Sequence, residues 1–425
     1  MSVGKWSVGN YKREVVTPLP RRVLAEKRGI ALVTVLLFMG ALLILGTAFL
    51  TISSTETQIA INERRAVQAF FLAEAGANKA LSQLNADEAY AGEIDTPLGP
   101  GTFTVTVDDI PTPPGSFDRK RVTSFGYVPD SATPAAAARV EVVVERGSPF
   151  RWAAFGLDKV TFNERGVTDS YDSQAGAYEA SDAGAEGDIG SNDLVDIKED
   201  VTINGDALAG GSLEKDGGVV ITGMAKENAY PVALASVSIP SGSGSDEEVS
   251  NEGVKELDAA DEDEYGELEV ENDGTIFLHP GTYTFYGKIR LNKGAELKVS
   301  GKVRIYLTGE FTADENVRVN ADAPALPTDL FIYSSGDKFE IDKSAIFYGA
   351  VYARDAEVKV AKLNPDIGDE TDSASGDVFG SLIGKDIDVG KNQRFHFDEA
   401  LLKEKSPYGP FRPVAGTWQE VIPSP

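Results

Sequence analysis

Nine carboxylates fall in two loop-like stretches of this 425-residue chain: Asp169, Asp172, Asp182 and Asp188 in one, and Asp366, Asp369, Glu370, Asp372 and Asp377 in the other. Acids at that density can do two kinds of chemistry. Paired at about 5–9.5 Å they hydrolyse glycosidic bonds; converging several oxygens they hold a hard cation such as calcium. Neither stretch has a recognisable catalytic spacing. In a chain with 67 acidic and 40 basic residues, neighbouring carboxylates are mostly solvated charge. Asp169-Ser-Tyr-Asp172 and Asp366-x-x-Asp369 suit calcium better, although neither has the alternate ligands, central glycine and closing glutamate of an EF-hand. The two histidines, His279 in LHPG and His396 in FHFD, lie in strand-like contexts and read as packing or turn residues. Gly205 to Ser212 (GDALAGGS) lacks the Gly-Lys-Ser/Thr ending of a phosphate loop. The expectation is a chain that is not an enzyme and carries no cofactor, with calcium as the one metal to test.

The elements that position these residues begin with a long apolar run. No charge occurs between Arg28 and Glu56, and a helix needs roughly 20 such residues to cross a bilayer. The run follows a basic leader, where Lys5, Lys12, Arg13, Arg21, Arg22, Lys27 and Arg28 outnumber Glu14 and Glu26. Basic flanks stay on the cytoplasmic side, so the remainder of the chain is expected outside. A secretory signal peptide has a shorter core and a cleavage site beyond it; here the candidate processing glycine, Gly29, precedes the core. Small and apolar positions recur at Ile59, Ala66, Phe70, Ala73, Ala77, Leu81 and Leu84, and no proline occurs from Ile30 to Asp95. One helix therefore spans residues 30–95, membrane-embedded in its first half.

Pro97, Gly99, Pro100 and Gly101 break that helix. Runs at Thr102 to Val107, Arg121 to Val128 and Arg139 to Glu145 alternate as strands do, giving a small antiparallel sheet over residues 96–148. From 149 to 415 short strands recur between Gly, Asn and Asp turns, and a tail of residues 416–425 follows. YGAVYARDAEVKV and FGSLIGKDIDVGK read as two copies of one unit. That repeat favours an all-β, right-handed parallel β-helix-like domain, the alternative being a β-sandwich. Ser241 to Glu271 and Leu363 to Gly376 read as solvated loops, and Phe347, Tyr333, Tyr348 and Tyr352 as core or ladder aromatics. Net charge is −27, which excludes nucleic acid as a partner of the exterior part. The chain has no cysteine, so that part holds together without disulfides.

The segment RGIALVTVLLFMGALLILGTAFLTISSTETQIAINERRAVQAFFLAEAGANKAL resembles the N-terminus of PilX-type minor type IV pilins, with Phe71, Ala73, Glu74, Ala75 and Gly76 matching their Phe-x-x-Ala-Glu-Ala-Gly motif. VTDSYDSQAGAY, LHPGTYTF, FYGAVYARDAEV and FHFDEAL are similar to the solenoid-like domain fused to such pilins. The resemblance implies an α+β pilin module, cleavage after Gly29 by a prepilin peptidase and methylation of Ile30. Glycine there offers the peptidase an unhindered, extended backbone. It also implies a filament helix carrying Ile30, Thr34, Phe38 and Phe49. Storage in the bacterial inner membrane and display at the pilus tip follow from it. The implied partners are other minor pilins, the major pilin, the inner-membrane assembly platform and a tip adhesin. Most major pilins carry glutamate at the fifth mature position, and a buried charge needs a partner; here that position is Thr34, and related subunits lacking the acid sit at the tip. The implied function is initiation of pilus assembly with display of the β-domain for adhesion or tip-protein binding. The alternative is a membrane-anchored carbohydrate-binding or polysaccharide-degrading protein of the cell envelope.

Overall fold

The computed structural model describes residues 23–111, 119–342, 344–361 and 376–421, with side chains from Ile30 onward. Asp366 and Asp369 therefore lie outside the described residues. The chain divides into two units, residues 1–68 and 69–425.

Helix α1 runs from Val23 to Ala86, 64 residues without proline or an interior break. Its C-terminus lies just past Leu84, the last of the regularly spaced apolar positions, and earlier than the proline-free run to Asp95 predicts. The Ala89 amide donates to Asp87 Oδ1 at 2.9 Å, a local turn that competes with another helical turn. Residues 92–95, expected in the helix, instead open strand β1 (Gly92–Leu98).

The second unit contains an antiparallel sheet formed by β1, β2 (Gly101–Ile110), β3 (Arg119–Val128) and β4 (Ala136–Arg146), in that order. Alternation in β4 sends Ala138, Val140, Val142 and Val144 inward, where they are buried, each valine contributing about 1.5–3 kcal/mol. They pack on the α1 residues of the same unit, of which Ala69, Ala73, Ala77 and Ala80 are wholly buried. Small residues bring helix and sheet together. A Cβ on Gly76 would lie 2.3 Å from Ser124 Oγ, and one on Gly126 would lie 2.0 Å from the Ala69 carbonyl oxygen.

The tail corrects the expected domain order. Phe411–Pro413 and Gln419–Val421 both pair antiparallel with the free edge of β4, Phe411 opposite Arg146 and Gln419 opposite Glu141. Residues 411–421 thus complete the first sheet. The large β-region is an insertion within it. Where the chain leaves and rejoins the sheet, the two segments are tied together: Gly147 N donates to Pro410 O at 2.9 Å, and Ser148 Oγ to Leu401 O at 2.7 Å.

Among the described residues, every ladder between strands of the inserted region is parallel, as the register of each pair shows, and one isolated antiparallel bridge joins Ser170 to Gly184. The antiparallel hairpin pairing of a sandwich is not what joins these strands. Instead the chain runs back alongside itself. Val254 pairs with Thr275, Thr275 with Glu296, Glu296 with Arg318, and Arg318 with Ile346. The two repeat copies lie side by side, Tyr348 opposite Phe379 and Val360 opposite Val389. A single apolar core fills the interior, including Phe162, Leu268, Ile305, Phe339 and Val358. Phe311 and Phe339 stack at 4.4 Å. Tyr333, Tyr352 and Phe347 are buried as the sequence suggests.

The stack is built in two arms that meet in its middle. In the first, Ala154 pairs with Ile189, Ile189 with Ala207 and Ala207 with Ala225. Asp188 Oδ1 accepts from Asp206 N and Asp206 Oδ1 from Met224 N, both at 2.6 Å, so Gly187-Asp188 and Gly205-Asp206 are equivalent corners. Burial pushes the Asp188 carboxyl up to about 6. An extended strap, residues 227–244, then carries the chain to the start of the second arm. Val232, Leu234, Val237 and Ile239 pack on Phe150, Phe155, Phe331 and Ile383. Tyr352 Oη donates to Ala235 O at 2.7 Å, and Asn192 exchanges two hydrogen bonds with the Val232 backbone. The second arm starts inside the expected loop at 241–271, which contains strands Ser245–Val249, Val254–Leu257 and Glu264–Val270. Asp246, Glu248, Glu256, Glu264 and Glu267 are exposed strand residues set between buried Val249, Leu257, Tyr265 and Leu268. It closes on the first arm: Leu382 pairs with Ala154, and Arg394–Asp398 with Val167–Tyr171.

Candidate functional site

Two regions carry the residues expected to act. In the first unit, Ile30, Phe38 and Phe49 are exposed, and Thr34 Oγ1 donates to Ile30 O at 2.9 Å. That bond occupies the Thr34 hydroxyl within its own helix and leaves no charge at this position. The helix from Ile30 contains a window of mean hydropathy 2.6 with none of it buried, long and apolar enough to cross a membrane. Gly29 lies inside α1 and not in the extended backbone expected there.

The second region is the seam between the two arms. His396, on strand Arg394–Asp398, stands opposite Asp169, on strand Val167–Tyr171. Its Nδ1 lies 2.6 Å from Asp169 Oδ1, and its Nε2 lies 3.5 Å from Asp377 Oδ2. All three residues are buried. Burial lowers the affinity of the imidazole for a proton, but the two carboxylates outweigh it and hold the His396 pKa above the ordinary value. The cation is thus stabilised between two acids. The other Asp169 oxygen accepts from Tyr178 Oη at 2.8 Å.

Aromatic rings continue the same position along the stack. Tyr348 stacks on Phe379 at 4.1 Å, and Phe379 lies 4.6 Å from the His396 ring. Tyr178 packs on His396 at 3.9 Å. Next to this ladder, Asp398 is wholly buried and accepts from Ser173 N, Ser173 Oγ and Ala400 N. Burial raises its pKa despite those donors. Asp398 also caps the short 3₁₀ turn Glu399–Lys403, the only helical structure in FDEALLK. Ser170 Oγ donates to Glu399 Oε1 at 2.8 Å.

The calcium proposal for Asp169 and Asp172 does not match this geometry. Asp169 is spent on His396 and Tyr178, while Asp172 is 3.6 Å from Lys403 Nζ and accepts from Gln174 N. Among the described residues no group of three or more His, Cys, Asp or Glu is arranged to hold a metal ion. His396 is the residue that sequence reasoning undervalued. Its partner Asp169 is 227 positions away, and no local pattern links them. His279, by contrast, is part-exposed at a turn, 3.2 Å from Glu256.

A cleft of about 600 Å³ opens beside the seam, lined by Asp169, Tyr178, Asn204, Thr222, Arg394 and His396 among others.

Two family models match parts of the chain. Residues 28–78 match one described as PilX N-terminal, and residues 287–404 match a domain of unknown function, DUF7305. Residues 28–78 are therefore similar to the N-terminal segment of PilX-like type IV pilins. Searches of curated proteins and of solved structures give no match.

Proposed function

We propose that this chain is a PilX-like minor pilin that helps initiate a type IV pilus and sits at its tip. The observation that carries the reading is the nesting of the parts. A pilin-type helix and its antiparallel sheet form a frame, and some 250 residues of parallel β-structure are inserted between β4 and the strands that complete the sheet. On this reading the inserted stack is a right-handed β-solenoid, each turn of chain resting on the last. A head of that bulk is hard to repeat at every subunit of a thin filament, and Thr34 supplies no carboxylate for a subunit above it. Both features favour the tip.

The chain waits in the inner membrane with its N-terminus cytoplasmic, is cut after Gly29 and methylated on Ile30, and joins other minor pilins on the assembly platform. Its solenoid then serves adhesion or docks a tip adhesin. The role is structural: the carboxylates Asp169 and Asp377 are engaged with His396 and do not stand free across a sugar. Sheared pili test the reading. The expected result is trace stoichiometry with a mature chain starting at methylated Ile30. An intact chain beginning at Met1, left in the envelope of cells with normal pili, overturns it and favours the envelope-anchored alternative.

A further inference from the structure

A second pocket opens on another face of the stack, where the strap leaves the first arm. Phe155, Gly190, Leu208 and Lys226 occupy one position, facing away from the main core, on successive turns. Gly190 has no side chain, and the Phe155 and Trp152 rings lie over it: a Cβ there would meet them at 3.0 and 3.1 Å. The centres of those two rings are 5.2 Å apart. Trp152 is thereby held as one wall of a cavity of about 280 Å³. Tyr230 also lines it and is 93 % exposed. Its neighbours impose that exposure. Ala229 N donates to Ala209 O at 2.9 Å, and Val232 N to Asn192 Oδ1 at 2.7 Å, so the strap is pinned on both sides of Tyr230.

Polar groups here are open, whereas those at the seam saturate one another. The Trp152 indole N–H and the second Asp206 carboxylate oxygen have no partner among the described residues, and neither atom is sealed from solvent. Asp206 spends its other oxygen on Met224 N. Lys226 lines the same pocket, exposed and without an ion-pair partner among the described residues. The pocket thus offers two donors, one acceptor and two aromatic rings. A cavity of this size lies at the lower end for ligand pockets and holds one ring-sized group, not a chain of them. The opposite charges of Asp206 and Lys226 set the preference. A charged ligand gains from one and loses to the other. An uncharged sugar ring uses every group: its hydroxyls donate to Asp206 and accept from Trp152 and Lys226, and its C–H face packs on an aromatic ring.

We propose that this pocket binds one uncharged pyranose ring, held between Trp152 and Tyr230 with its hydroxyls on Asp206, Lys226 and the indole N–H. The inference gives the displayed head a ligand and rests on the filament reading for that role, yet its test needs no pili. The full chain in sugar-free detergent micelles is titrated with methyl β-glucoside, methyl β-galactoside and methyl α-mannoside, and binding is read by saturation-transfer NMR. At least one of the three is expected to saturate, and to bind about five-fold or more tightly than its uronate counterpart. Tyr230→Ala and Lys226→Ala, both at exposed positions, should each weaken it about five-fold at unchanged melting temperature. Trp152→Phe keeps a ring and removes the N–H, and should weaken it about three-fold. Absence of saturable binding by all three sugars, equal binding of the uronate, or full binding by Tyr230→Ala overturns the proposal. If Trp152→Phe fails to fold, the two exposed variants still decide it. A failed titration leaves the presence of the chain in sheared pili untouched, and absence from pili leaves the titration untouched.

Discussion

Replacing His396 with Gln puts the seam to its hardest test. In the folded chain the imidazole lies between two buried carboxylates, 2.6 Å from Asp169 and 3.5 Å from Asp377. A neutral amide leaves both acids without a cation. Removing one partner of a buried ion pair costs about 3–5 kcal/mol. For a unit of this size that corresponds to a melting-temperature loss of roughly 5–10 °C. The pH dependence separates charge from packing. Because the folded pKa of His396 is raised, its proton is bound more tightly in the folded state than in the unfolded state. The stabilisation is therefore complete below the ordinary histidine value and fades as pH rises through the folded value. Melting of the full chain in micelles, followed by circular dichroism from pH 5 to 9, gives the curve for each protein. The gap between wild type and His396→Gln should be widest at pH 5–6 and should narrow toward pH 9. A gap that is constant, absent or growing with pH refutes the buried-cation account.

Four further outcomes follow from the structure. Gly126→Ala places a Cβ 2.0 Å from the Ala69 carbonyl and should destabilise the second unit by about 1–3 kcal/mol in urea melts. Gly217→Ala, which meets nothing within 4 Å, should be near neutral in the same assay. Removing residues 411–425 strips two strands from β4 and leaves its edge unpaired at Arg139–Glu141 and Val144–Arg146. The loss of buried Phe411 alone costs about 1.5–3 kcal/mol, and limited proteolysis should cut the antiparallel sheet of the truncated chain first. Thr34→Glu restores the acid of major pilins and should raise the copy number of the chain in sheared pili several-fold, counted by quantitative mass spectrometry. An unchanged count argues against the proposed link between Thr34 and a tip position.

Local pattern made much of this molecule legible. The strands around Thr102, Arg121 and Arg139 are where alternation places them, and the tandem units at Tyr348 and Phe379 pair as neighbours. The Gly76 of the pilin motif has a physical reason, since helix and sheet touch there. What pattern could not give is long-range. Phe411–Pro413 is three residues long, too short to show alternation, yet it completes the first sheet. The strands within 241–271 were hidden because their exposed face is almost all acidic. The strap was invisible because Val232, Leu234, Val237 and Ile239 are ordered by a surface and not by their own ladder. His396 appeared to be a packing residue because Asp169 comes from a strand that meets it only when the arms close. The equivalent corners at Gly187-Asp188 and Gly205-Asp206 were the one clue to the shorter first-arm repeat, and their small size concealed it.

The meeting of both arms at a central seam leaves the two extremities of the stack free of chain ends. New turns can be added beyond Ala225 or before Ser245, with a longer strap between them, while the frame, the seam and the anchor keep their geometry. Reach is thereby decoupled from attachment: related chains can vary in length at both extremities while the region around His396 stays constant, a pattern that growth from one terminus would not produce.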